Sequence, residues 1–82
     1  MIYKIGDKVR IRRDLEVEYY SNEGGRDSDT FTCEEMLEYA GEIATIKHFD
    51  GWNYQLDIDN GDYYWSYEML EPYKELKFNA LE

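Results

Sequence analysis

Three closely spaced carboxylates around one turn are the residues best suited to chemistry. Asp57, Asp59 and Asp62 flank Asn60-Gly61, a pair typical of a two-residue β-hairpin turn because both turn residues tolerate positive φ. In such a hairpin the three aspartates share one face with Tyr64. Alternate residues of a strand lie roughly 7 Å apart, close to the spacing of neighbouring phosphates along one DNA strand. This face is predicted to bind a basic protein surface in place of DNA.

Further residues are expected to contribute to the same contact. Glu34, Glu35 and Glu38 would add negative charge, and Trp52 would act with Tyr64 as an aromatic anchor. Two simpler interpretations stay open. Aspartate is common beside turns, which would account for Asp59 and Asp62, and acidic residues also stabilise the first turn of a helix.

Metal binding and catalysis are disfavoured by the residue types and their spacing. The segment 57–62 resembles a calcium loop, but Gly61 falls at its fifth position, whereas an EF-hand requires glycine at the sixth. Cys33 and His48 are the chain's only soft ligands, and structural zinc usually has four. With one histidine, one cysteine and no glycine-rich phosphate loop, the sequence predicts neither an enzyme nor a cofactor.

An aromatic cleft is the alternative binding site. Peptide-recognition modules combine aromatic rings with acids that receive arginine or lysine, so the chain could instead be an adaptor that reads a basic or proline-rich peptide. The same rings could equally belong to the core, because tyrosine burial is intermediate. The rings considered for this cleft are Tyr19, Tyr20, Trp52, Tyr54 and Tyr67.

Composition limits the class of protein. Eighty-two residues form one small domain, taken as 1–80, and Leu81-Glu82 is interpreted as a possible cloning scar. The formal net charge of −10 disfavours direct contact with nucleic acid or an anionic membrane and favours a basic protein partner. A single cysteine excludes an internal disulfide, and no apolar run approaches the ~20 residues of a membrane span. We therefore expect a cytoplasmic protein, as a monomer or weak dimer.

The elements that must position these residues follow from local patterns. Residues 2–12 alternate apolar and basic side chains, which predicts a half-buried strand with a bend at Gly6-Asp7. The side chains expected to point inward are Tyr3, Ile5, Val9 and Ile11. Residues 13–31 show no period and predict a long loop. Residues 32–40 predict a short α-helix with Thr32 as N-cap, Phe31 and Met36 as a hydrophobic staple, and a stop at Gly41.

The second half of the chain is expected to be mostly strand. Strands are predicted over 42–49, 52–59 and 62–65, the last two joined by the Asn60-Gly61 turn. A single helical turn is predicted over 66–70, followed by a closing strand over 73–78.

The order of these segments resembles the small SH3-like barrels of the KOW and Mind-bomb-repeat style. The resemblance rests on Gly6-Asp7-Lys8-Val9, Tyr39 through Ile46, Tyr54-Leu56-Asp57, Trp65 and Met69-Leu70-Glu71-Pro72. It implies a mainly β fold, a five-stranded barrel with one short α-helix inserted between strands 1 and 2. Short acidic chains of this style also resemble small phage and prophage proteins. That likeness implies an inhibitor of a host defence nuclease, for example a CRISPR effector, in the cytoplasm of a bacterial host cell.

Overall fold

A computed structural model describes residues 2–24 and 29–73, and this part of the chain is mainly β. The closing strand predicted over 73–78 falls almost wholly outside it. Two 3-10 helices, Glu34–Tyr39 and Tyr67–Met69, accompany the strands. The six strands are β1 Lys8–Ile11, β2 Tyr19–Tyr20, β3 Thr30–Phe31, β4 Ile43–Phe49, β5 Tyr54–Leu56 and β6 Leu70–Pro72.

Four of the strands form one antiparallel sheet in the order β5-β4-β1-β6, and β2 and β3 form a separate two-stranded sheet. β1 is therefore central, with Val9 opposite Ala44 of β4 and Pro72 of β6. The pairings among the described strands do not close into a barrel. The five-stranded barrel stays a prediction.

Strand β1 confirms the alternation predicted for it. Val9 and Ile11 are completely buried, whereas Lys8 is exposed and Arg10 is partly exposed on the other side of the sheet. Ile5 was expected to point inward, and this is wrong, since it is 60% exposed. A turn at Gly6 (φ +98°), closed by a hydrogen bond from the Asp7 N–H to the Lys4 carbonyl, separates it from the strand.

The predicted α-helix over 32–40 is wrong in type and in its cap. The helix is a 3-10 helix that starts at Glu34, after Cys33, and no side chain caps its first turn. Thr32 is completely buried, and its N–H donates to the Glu18 carbonyl at 2.9 Å. Its backbone thus continues the β2–β3 pairing, and the helix starts one residue later than predicted, with Cys33 at the N-cap position.

The segment 13–31 contains regular structure, contrary to the predicted loop. β2 pairs with β3 through Tyr19 opposite Phe31 and Tyr20 opposite Thr30. Leu15 and Tyr20 are buried in the core. Phe31 is 48% exposed and packs on Tyr19, so it does not form the expected staple with Met36.

Strand β4 lies where it was predicted, with a register shift between Ile46 and His48. The hairpin that follows differs from the prediction. β5 ends at Leu56. A two-residue turn at Asn60-Gly61 would pair Trp65 with Leu56, but Trp65 instead forms an isolated bridge with Tyr54. The segment 57–61 is a series of turns in which Asn60 (φ 57°) and Gly61 (φ 77°) both adopt positive φ.

The core lies beneath the four-stranded sheet and is built around Trp65 and Tyr54, both completely buried. The helical turn predicted over 66–70 is present as Tyr67–Met69. The Met69 side chain is buried in the core. Among the described residues, no helix has the length and apolar character needed to cross a bilayer. The other completely buried apolar side chains are Val9, Ile11, Ile46 and Leu56.

Candidate protein-binding surface

Asp59 does not belong to an exposed acidic face, and its predicted outward orientation is wrong. The residue is only 3% exposed. Its carboxylate accepts hydrogen bonds from the N–H groups of Gly61 and Tyr63, both at 3.0 Å, and from the indole N–H of Trp65 at 3.1 Å. A buried carboxylate with three donors is a structural centre, so Asp59 holds the turn onto the core and is closed to a partner.

Asp57 is exposed, but it lies beside basic side chains. Its carboxylate accepts the Thr45 N–H at 2.9 Å, and its own N–H donates to the Thr45 carbonyl at 3.1 Å. It lines an open groove of about 380 Å³ together with Lys47 and His48. The Asp57 carboxylate therefore extends the β4–β5 pairing and sits next to a lysine.

Trp52 lies under the segment that follows β2. The residue is 43% exposed, and a Cβ built on Gly24 would clash with the ring carbon Cδ1. The Glu23 N–H also donates to the Trp52 carbonyl at 3.0 Å. Much of the ring face predicted as an anchor is thus covered by the chain itself.

Tyr63 connects the first 3-10 helix to the segment before Trp65. Its ring lies 6.4 Å from the rings of both Tyr39 and Trp65. The Tyr63 pKa is raised, first by partial burial and then by groups that include Glu35 and Asp62. The ring contacts thus hold the segment that carries Asp62 next to the helix that carries Glu35.

We define the acidic surface by the predicted site residues that are exposed on these two segments. Tyr64, which is 53% exposed, follows Tyr63 in the chain and supplies an accessible ring. The sequence did not identify Tyr63 as the residue that joins the two segments. The alternation of residues 62–65 indicated only that its side chain points towards the core. The acidic surface consists of Glu34, Glu35, Glu38, Asp62 and Tyr64.

Basic side chains occupy a different face. Lys8 and Arg10 lie on the outward side of β1, and Arg10 faces Glu71 of β6 in register. Arg12 makes two hydrogen bonds to the Asp14 carboxylate, at 3.0 and 3.1 Å, which lower the pKa of that carboxyl. The arginines of this region thus lie beside carboxylates of the same chain, Glu71 for Arg10 and Asp14 for Arg12.

The predicted cleft of five rings is not formed. Tyr20 is 8% exposed and Tyr54 is completely buried, so neither ring is open to a peptide. The Tyr54 hydroxyl accepts the Tyr3 N–H at 2.9 Å and donates to the Glu23 carboxylate. Both rings are therefore core residues.

The hydrogen bond between Tyr54 and Glu23 changes the acidity of both groups. Burial, and then the bond to Glu23, raises the pKa of Tyr54 to about 12. Burial alone would raise the pKa of the Glu23 carboxyl, but hydrogen bonds, that from Tyr54 foremost, outweigh it and lower this pKa. The shifts favour a protonated Tyr54 hydroxyl and an ionised Glu23 carboxylate, which are the states in which this hydrogen bond forms.

Within residues 2–24 and 29–73, no three or more histidine, cysteine, aspartate or glutamate side chains are grouped closely enough to hold a metal ion. Cys33 is a free, partly buried thiol. Comparison with protein-family models, with curated protein sequences and with solved structures finds no match to this chain.

Proposed function

We propose that this chain is a small protein-binding module whose acidic surface docks on a basic, nucleic-acid-binding surface of another protein. The contact between the Tyr39 and Tyr63 rings is the observation that carries the proposal. It joins the helix that bears Glu34, Glu35 and Glu38 to the segment that bears Asp62 and Tyr64. Exposed carboxylates in such an arrangement attract lysine and arginine and steer association.

The proposal extends to the class of partner. A basic surface that normally binds DNA or RNA presents a field complementary to a net charge of −10. We place the chain among inhibitors encoded by phages or other mobile elements, acting on a host defence nuclease such as a CRISPR effector. An SH3-like barrel would be the scaffold that displays the surface.

Neutralising the two central carboxylates is expected to weaken inhibition by roughly tenfold, since each exposed interfacial charge contributes up to about 1 kcal/mol. The probe is a purified Cas9-type effector with its guide RNA and a fluorescent target duplex. The measurement is the concentration of this protein that halves duplex binding. The variant is Glu35→Gln combined with Asp62→Asn. The wild-type effect should also weaken steeply between about 0.05 and 0.3 M salt because exposed charges are screened.

A charge-matched control distinguishes an effect of the acidic surface from an effect of the net charge of the protein. Glu16→Gln combined with Glu71→Gln changes the net charge equally, at exposed residues of other elements. This variant should inhibit like the wild type. Equal loss in both double variants, or inhibition unaffected by salt, would rule out the proposed surface; absence of inhibition would rule out this class of partner.

A further inference from the structure

The two-stranded sheet presents a pair of aromatic rings to solvent. Tyr19 is 65% exposed and Phe31 is 48% exposed, although their ring centroids are only 4.9 Å apart. Their chain neighbours Tyr20 and Thr32 are buried on the opposite side. The two rings thus form the outer face of β2–β3, and the core does not use that face.

The backbone holds the pair in place. The hydrogen bond from the Thr32 N–H to the Glu18 carbonyl makes these two residues a hydrogen-bonded pair of the antiparallel ladder. Tyr19 and Phe31, the next pair along, therefore occupy a non-hydrogen-bonded position, where facing side chains approach most closely. The ring arrangement exists before any ligand binds.

A carboxylate lies beside the rings. Asp29 is exposed and lies two residues before Phe31, so strand alternation places it on the same side. Glu18, which precedes Tyr19, lies on the other side, where its side chain interacts with Tyr20. A purely apolar partner would desolvate the Asp29 carboxylate without compensation, which disfavours it.

We propose that Tyr19 and Phe31 form an aromatic clamp that binds an arginine side chain of a partner's peptide segment. A planar guanidinium stacks on an aromatic face through cation–π attraction. Its N–H groups are then available to the Asp29 carboxylate on the same side as the rings. The clamp is separate from the acidic surface and does not depend on the function proposed for that surface.

The clamp is tested on the full chain with a short glycine-flanked diarginine peptide as the probe. Binding is followed by the aromatic ¹H–¹³C chemical shifts of Tyr19 and Phe31. We expect both rings to shift on titration, and a citrulline peptide of equal length to bind about fivefold more weakly because it lacks the cation. Equal binding of both peptides, or shifts confined to other residues, would overturn the clamp.

Substitutions at Tyr19 separate cation–π attraction from simple apolar contact. Tyr19→Phe retains the ring face and should bind the diarginine peptide like the wild type. Tyr19→Leu retains apolar area but loses the ring, and its affinity should fall by about fivefold. Ile5→Ser, at an exposed apolar residue of the turn before β1, should leave binding unchanged. Wild-type affinity in Tyr19→Leu would rule out the clamp and leave the function proposed for the acidic surface standing.

Discussion

Replacing Asp59 with alanine is expected to lower the free energy of unfolding by about 3–5 kcal/mol. The substitution removes the acceptor for the N–H groups of Gly61 and Tyr63 and for the indole N–H of Trp65. Trp65 is completely buried, so water cannot replace the lost bond to its indole without entering the core. Urea denaturation followed by tryptophan fluorescence measures the change.

The control for this prediction is the same substitution in the same turn. Asp62→Ala removes an exposed carboxylate three residues later and should change stability by no more than about 0.5 kcal/mol. Asp59→Asn retains one acceptor oxygen and should fall between the two. Equal stability of Asp59→Ala and Asp62→Ala would mean that the buried carboxylate does not hold the turn.

Replacing Tyr54 with phenylalanine is expected to lower the free energy of unfolding by about 2–3 kcal/mol. The ring stays in the core, but the hydroxyl that donates to Glu23 and accepts the Tyr3 N–H is lost. A hydrogen bond to a charged group contributes more than a neutral one, and Glu23 would lose its buried donor. Tyr64→Phe, at an exposed ring, is the matched control and should stay within about 0.5 kcal/mol of the wild type.

The pH dependence of stability gives this prediction a second readout. The Tyr54 pKa is raised to about 12 in the folded chain, above its ordinary value of 10.0. Its contribution to stability is therefore complete below pH 10 and is lost as pH rises towards 12. Glu23 acts in the opposite direction: its folded pKa is lowered from 4.5, so its contribution is present above pH 4.5 and is lost as pH falls through the lowered value.

Denaturation between pH 9 and 12 should accordingly show a shallower loss of stability in Tyr54→Phe than in the wild type. Some loss of stability with rising pH remains in the variant, because the other buried tyrosines are unchanged. An identical alkaline slope in both proteins would show that the Tyr54 hydroxyl does not have the raised pKa.

The sequence correctly predicted the structural features that depend only on local residue patterns. The alternation of β1, the position of β4, and positive φ at Asn60 and Gly61 all follow from the preferences of a few neighbouring residues. The role of Asp59 does not, because it depends on the indole of Trp65 six residues later. The Asn-Gly pair correctly indicates a turn. The register of the residues on either side also depends on the Asp59 carboxylate, which bonds to the buried Trp65, and Trp65 pairs with Tyr54.

The errors in the first half of the chain have a related cause. β2 and β3 contain two residues each, too few for any period to be recognised. Thr32 has the residue type and spacing of an N-cap, but its backbone is already engaged by Glu18. Of the residues predicted to bind a partner, Asp59 lost the predicted exposure because its carboxylate bonds to the buried indole of Trp65. Asp57 kept it, although its carboxylate accepts the Thr45 N–H.

The central place of β1 has a consequence for biosynthesis. β1 is flanked by β4 and β6, whose paired residues are translated more than thirty and about sixty positions later. A nascent chain emerging from the ribosome thus carries β1 with both edges unpaired, and one edge stays open until residues 70–72 leave the exit tunnel. Open strand edges are sites of unwanted association, and charged side chains such as Lys8 and Arg10 on this strand oppose it.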